Sequence, residues 1–138
     1  MPAEKITIDA LVDAPIETVW ERYTAPDHIT QWNFASDDWC CPTASNDMRI
    51  GGKYAARMEA KDGSFGFEFE AVYTDLTPEK SFTYVMEDGR AVTTSFTPIG
   101  DKTQVTTVFD AETQNPVEMQ RDGWQAILNN FKKHAETA

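Results

Sequence analysis

A chain of 138 residues with 41% hydrophobic side chains, among them 8 Phe, 4 Tyr and 4 Trp, has the size and apolar content of one folded domain with a single core, which excludes a disordered chain. Twelve Lys and Arg against 23 Asp and Glu leave a formal charge of -11, a field that repels phosphate backbones and anionic lipid surfaces, so neither nucleic acid nor membrane is an expected partner. No stretch reaches the ~18 apolar residues of a membrane span, and "MPAEKITIDALV" lacks the charged start and long apolar run of a leader. A soluble cytoplasmic protein, one domain over residues 1–138, is expected.

The first strand is "KITIDALV", in which Ile6, Ile8, Ala10 and Val12 share one parity. The period then changes. In "APIETVWERYT" the apolar Ile16, Val19, Trp20 and Tyr23 fall at i, i+3, i+4 and i+7, and Pro15 is placed to open a helix. Pro26 ends that helix or begins a short second one carrying Ile29 and Trp32.

Cys40 and Cys41 are adjacent, too close for a structural disulfide. The two histidines, His28 and His134, are not spaced to complete a metal site with them, so two reduced thiols, no metal and no cofactor are expected. From about residue 39 the chain reads as strands separated by turns. Asp62-Gly63, Asp88-Gly89 and Gly100-Asp101 mark three tight reversals, and Pro78 lies in a fourth.

Before the first reversal stands "NDMRIGGKYAARMEAKDGS", where Gly51-Gly52 admits two readings. A phosphate loop places its glycines between a strand and a helix, with Lys and Ser or Thr following in a set order. Here the pair leads into a strand instead, which favours a bend or close backbone approach, with Asp47 bonding nearby amides and Arg49 at the rim.

Beyond it, Tyr54, Ala56 and Met58 share a face, as do Phe67, Phe69, Ala71 and Tyr73, with Glu68 and Glu70 opposite. The alternation continues through Phe82, Tyr84 and Met86, then Val92, Thr94 and Phe96, then Val105, Thr107 and Phe109. A five-strand antiparallel meander with one wet face follows. The last element is a long helix, with Asn115 as cap, Pro116 first and Glu118 at the capping-box position. Its apolar stripe is Val117, Gln120, Trp124, Ile127, Leu128, Phe131 and Ala135, and Lys132, Lys133 and His134 suit the dipole at its end. Strands and helix can hide their apolar faces only against each other, which gives an α+β fold with the helix across a curved sheet.

Five strings in this order, "APIETVW" at 14–20, "PDHITQW" at 26–32, "DMRIGGKY" at 47–54, "TPEK" at 77–80 and "RDGWQAILNNF" at 121–131, carry a resemblance to the START-like helix-grip superfamily (SRPBCC). Within it the chain resembles the family named after the activator of the heat-shock-protein-90 ATPase. It departs from the family pattern at Asn33, where a second Trp is common, and at Ala71, where Gly is common. The resemblance implies a further strand around Trp39 to Thr43, hence about seven strands wrapped around the terminal helix, and a cavity between helix and sheet. Family members bind hydrophobic small molecules, close polyketide rings or assist a chaperone.

The inward rings either pack solely on one another or surround a pocket, and a curved sheet that a single helix cannot fill favours the pocket. The expected lining is Tyr54, Met58, Phe67, Phe69, Tyr73, Phe82, Tyr84, Met86, Thr94, Phe96, Phe109, Trp124 and Leu128. By analogy Trp32, Phe34, Trp39 and Met119 stand at the mouth. Such a lining suits an apolar or aromatic ligand fixed by a few polar groups such as Tyr54, Tyr84 and Thr94.

No nucleophile motif is present. Glu68, Glu70 and Glu118 read as solvent-facing, Arg57 as a surface charge, and His28 as either a base at the cavity mouth or an exposed residue on its short helix. Three functions are therefore in view: binding of a small hydrophobic molecule, a polyketide cyclase or dehydratase, and a chaperone-binding module.

Overall fold

Strict alternation builds β1 (Lys5–Val12), after which the chain forms α1 (Ile16–Thr24), α2 (Pro26–Ile29), β2 (Trp39–Asn46), β3 (Lys53–Ala60), β4 (Gly66–Thr77), β5 (Ser81–Met86), β6 (Ala91–Ile99), β7 (Lys102–Asp110) and α3 (Val117–Thr137). The computed structural model describes residues 5–34, 36–112 and 116–137. The seven strands form one antiparallel sheet in the order β1-β7-β6-β5-β4-β3-β2. The architecture is the α+β helix grip expected from the sequence.

Sequence neighbours pair from β2 to β7, so the meander is a series of hairpins, and the expected reversals at Gly63, Gly89 and Gly100 lie between paired strands. The exception is β1. It lies on β7 as an edge strand, with Ile6 opposite Phe109 and Val12 opposite Thr103, and this pairing joins the first strand of the chain to the last.

Two register shifts, between Cys40 and Thr43 on β2 and between Tyr73 and Asp75 on β4, interrupt the ladder. A bulge bends its strand and increases local twist, which here curls the sheet around α3. Pro42 sits within the first shift, where its missing N–H costs no ladder bond.

The helices begin at prolines. Pro15 caps α1 from the preceding position, and its carbonyl accepts the Val19 N–H at 3.0 Å. The Pro116 carbonyl does the same for Gln120 at 3.1 Å. The capping box expected at Asn115 falls outside the described residues, and Glu118 is exposed in the first turn of α3.

The concave face carries the core. Ile6, Val12, Val105 and Phe109 on β1 and β7 are fully covered, and Phe131 on α3 is equally closed off. Trp124 stacks on Phe109 with centroids 4.0 Å apart, and Gln125 Nε2 donates to the Asp9 carbonyl at 2.9 Å, fixing α3 over β1. α1 and α2 cover the other end, where Tyr23 meets Phe131 at 4.9 Å, Phe96 at 5.4 Å and Trp32 at 5.0 Å.

Candidate functional site

α3 and the concave sheet do not meet everywhere. Between them lies a cavity of about 340 Å³, with nine of its twenty lining residues aromatic: Tyr54 on β3, Phe67, Phe69 and Tyr73 on β4, Phe82 and Tyr84 on β5, Tyr23 on α1, Trp32 after α2, and Trp124 on α3. That volume lies within the range of small-molecule sites. Phe67 is 41% exposed and Arg90 and Glu112 are half-buried, so the cavity reaches the surface between the β3–β4 hairpin, the β5–β6 turn and the start of α3.

Of the residues expected to line a pocket, Tyr54, Met58, Phe67, Phe69, Tyr73, Phe82, Tyr84, Trp124 and Leu128 border this space, as does Trp32. Met86, Thr94, Phe96 and Phe109 do not; they are buried in the core beside it. Neighbours explain most of this. Trp20 covers Phe96 at 5.2 Å, Trp124 covers Phe109, and Thr94 Oγ1 is hydrogen-bonded to Thr107 Oγ1 at 3.0 Å.

The expected mouth needs correction. Trp32 is 3% exposed and lies at the inner end against Phe131, its Nε1 donating to the Arg22 carbonyl. Phe34 and Trp39 are not among the lining residues; the Phe34 carbonyl accepts Asn130 Nδ2, and Trp39 packs on Phe65 and on Phe67, the lining ring at the opening. Met119 is 61% exposed because it lies one residue, about 100° of helix, from the inward Gln120.

Other lining residues fall outside the pocket set that the sequence predicts. Ile8, Tyr23, Thr107, Gln120 and Ile127 belong to the inward parities and stripes read there, and that was their signal. Thr24, Asn33, Asn46, Arg90 and Glu112 come from element ends and loops, where periodicity carries no information.

The polar atoms of the wall are mostly paired with each other. Tyr73 Oη donates to Asn46 Oδ1 at 2.6 Å, and Asn46 Nδ2 donates to the Thr24 carbonyl at 2.7 Å. Gln120 Oε1 accepts the Glu112 N–H at 2.9 Å, while its Nε2 donates to the Glu112 carbonyl. Arg90 Nε bonds Asp88 Oδ2 at 2.7 Å. Burial pushes the Tyr54 and Tyr84 phenols well above their ordinary range, and Tyr23 and Tyr73 are also raised by burial, so all four remain neutral.

His28 is neither at the mouth nor exposed. Its Nδ1 lies 2.9 Å from His134 Nε2, which ties α2 to α3 outside the cavity. Glu21 Oε1 is 3.9 Å from His28 Nε2, and Arg22 of α1 reaches the His134 carbonyl. Burial, then the charges of His28 and Arg22, lower His134 from the ordinary 6.5 of a histidine. Below about pH 6.5 the unfolded chain takes up this proton more readily than the folded one, so stability falls as the pH drops. The shifted carboxylates act in the same direction only nearer their own lower range. Urea denaturation at pH 7.5 and 5.5 should show this loss, and His134→Gln should make it smaller.

Gly51-Gly52 bends the sheet. Gly51 has φ 85° and donates its N–H to the Tyr73 carbonyl at 2.8 Å, and Tyr73 N–H returns to the Gly52 carbonyl. The Asp47 carboxylate holds the Arg49 guanidinium at 2.8 Å rather than nearby backbone amides, and Arg49 lies outside the cavity lining. Arg57 is a surface group paired with Glu59 and Glu68; Glu70, although on the wet face, is half-covered and pairs with Lys53 at 3.1 Å.

Cys40 and Cys41 are free thiols, and burial pushes Cys41 up to about 11. Among the described residues no cluster of three or more His, Cys, Asp or Glu is placed to hold a metal, and no helix is long and apolar enough to cross a membrane.

A curled sheet gripping a terminal helix, with a ring-lined cavity between them, defines a START-like helix-grip domain. The sequence profile of the family described as activator of Hsp90 ATPase homolog 1-like protein matches residues 13–136, and the chain belongs to that family. Among solved structures it is similar to the AHSA1-like protein from Aeromonas hydrophila, with 41% identity, TM-score 0.91, and coverage of 96% of this chain and 92% of that one. It is likewise similar to a Cytophaga hutchinsonii protein, with 45% identity, TM-score 0.83 and the same coverage, 96% and 92%. A Chromobacterium violaceum protein shares the fold at 21% identity and TM-score 0.87, over 98% of this chain and 99% of that one. No curated protein matches the chain. At the level of fold and family it is a domain of the ligand-binding or polyketide cyclase-like kind.

Proposed function

We propose that the protein is a cytoplasmic binding protein for a small hydrophobic or aromatic molecule held between α3 and the sheet. The observation that carries this reading is the 340 Å³ ring-lined space, which the core leaves unfilled although many aromatics surround it. Burying an apolar ligand there removes apolar surface on both sides from water.

A thermal-shift screen against fatty acids, sterols, phenolic ring systems and polyketide intermediates tests it. A ligand at ~100 times its dissociation constant adds about 2.7 kcal/mol, a shift of several degrees for a domain of this size. Phe69 borders the cavity within ring contact of Tyr54, Tyr84 and Trp124. Phe69→Ala is expected to weaken any hit about tenfold or more while lowering the melting temperature less than a closed-core truncation does. A screen with no shift in any class counts against the pocket as a binding site. A hit that is also turned over would instead make the protein a polyketide cyclase-like enzyme.

A second reading, a chaperone-binding module, draws on a feature beside the cavity opening: Trp39 and Phe65 cluster on the surface with Phe67 of the lining, centroids 5.9 to 6.3 Å apart, Phe65 being 61% exposed. Pull-down with purified chaperone at low and high salt separates it from the first.

A further inference from the structure

The hydrogen-bond inventory of the cavity wall leaves two hydroxyls over. Tyr73 is committed to Asn46, Thr107 to Thr94 and Gln120 to Glu112. Tyr84 is 8% exposed and borders the cavity, yet its hydroxyl bonds to nothing among the described residues. Tyr54 Oη accepts Asn33 Nδ2 at 3.2 Å, and its own hydrogen has no acceptor among them. The two rings are stacked at 5.5 Å with planes 14° apart, so both donors belong to one patch of wall.

Tyr84 Oη opens onto the cavity and is not a sealed orphan, so a ligand that displaces water there does best when it replaces the lost hydrogen bond. The simplest complement to two phenolic O–H groups beside aromatic faces is an acceptor oxygen on a flat ring system. Charge narrows the class further. The guanidinium of Arg90 is held by Asp88, Glu112 adds a carboxylate to the wall, and the chain as a whole is at -11, so an anion has little to attract it.

Building on the proposed binding function, we infer that the ligand is an uncharged ring compound bearing a carbonyl oxygen, which accepts hydrogen bonds from Tyr84 and Tyr54. Tyr84 is the cleaner test, because Tyr54→Phe also deprives Asn33 of its acceptor, whereas Tyr84→Phe removes an unengaged hydroxyl and keeps the ring.

The probes are 1-tetralone and tetralin, bicycles of nearly equal size that differ in one carbonyl, titrated calorimetrically into the wild-type protein and Tyr84→Phe. The expected result is that tetralone binds the wild type about tenfold more tightly than tetralin. In Tyr84→Phe that preference is lost, while tetralin affinity and the melting temperature hold. Equal binding of the two probes, or a preference that survives in Tyr84→Phe, overturns the carbonyl assignment and leaves the apolar cavity reading intact. Failure of both probes to bind overturns the ring-carbonyl assignment; the binding function falls with it only where the thermal-shift screen is also flat in every class.

Discussion

Phe131→Ala is expected to destabilise the protein by about 3–5 kcal/mol, because the side chain is fully buried and its removal leaves a void where three elements meet. Its ring lies 4.9 Å from Tyr23 of α1 and 5.1 Å from Trp32 beyond α2, so this one side chain joins α3 to both short helices. Urea denaturation with the midpoint and slope fitted separately measures the loss. A loss below about 1 kcal/mol would show that the helices close over the gap, and that packing at this end is loose. Set beside Phe69→Ala, the experiment separates residues that hold the grip together from those that only face its cavity.

The second large effect is expected at Gly52. A Cβ built there would stand 2.1 Å from the Asp47 carbonyl oxygen, a backbone atom that cannot rotate away. Gly52→Ala should therefore cost on the order of 3 kcal/mol or more and disturb the β3–β4 pairing below the bend. Gly51 contrasts with it. Its φ of 85° strains any other residue, but the space around it is open, so Gly51→Ala should cost only about 1–2 kcal/mol. Thermal denaturation of both variants, with and without millimolar inorganic phosphate, gives the ranking. Phosphate protection of the wild type lost in Gly52→Ala would restore the anion-loop reading that the strand context disfavours.

Most of the fold was legible in the residues because its faces follow local periodicity. The inward sets of β3, β5, β6 and β7, and the α3 stripe from Val117 to Ala135, are the ones alternation and helical spacing mark, with Thr94, Thr107 and Gln120 keeping their places although they are polar. The site was legible in part. Tyr54, Phe69, Tyr73 and Tyr84 border the cavity as their parity suggests, but parity says only that a side chain points inward, not whether another ring already covers it. Phe96 under Trp20 and Phe109 under Trp124 share that parity and belong to the core instead. The histidines show the same limit. His28 and His134 are 106 positions apart, and no spacing rule relates them until α2 packs beside the end of α3.

What the amino-acid sequence determined by itself is the element order, the inward face of each strand and helix, the turn positions and the family. All of these follow from neighbours a few residues apart or from strings read directly. Tertiary structure alone decided that β1 joins β7, that two bulges curl the sheet, and that α3 covers Phe109 while leaving Tyr54, Phe69 and Tyr84 beside an open space. The reason is physical: a void is set by how far two curved surfaces fail to meet, a distance summed over contacts between residues remote in the chain.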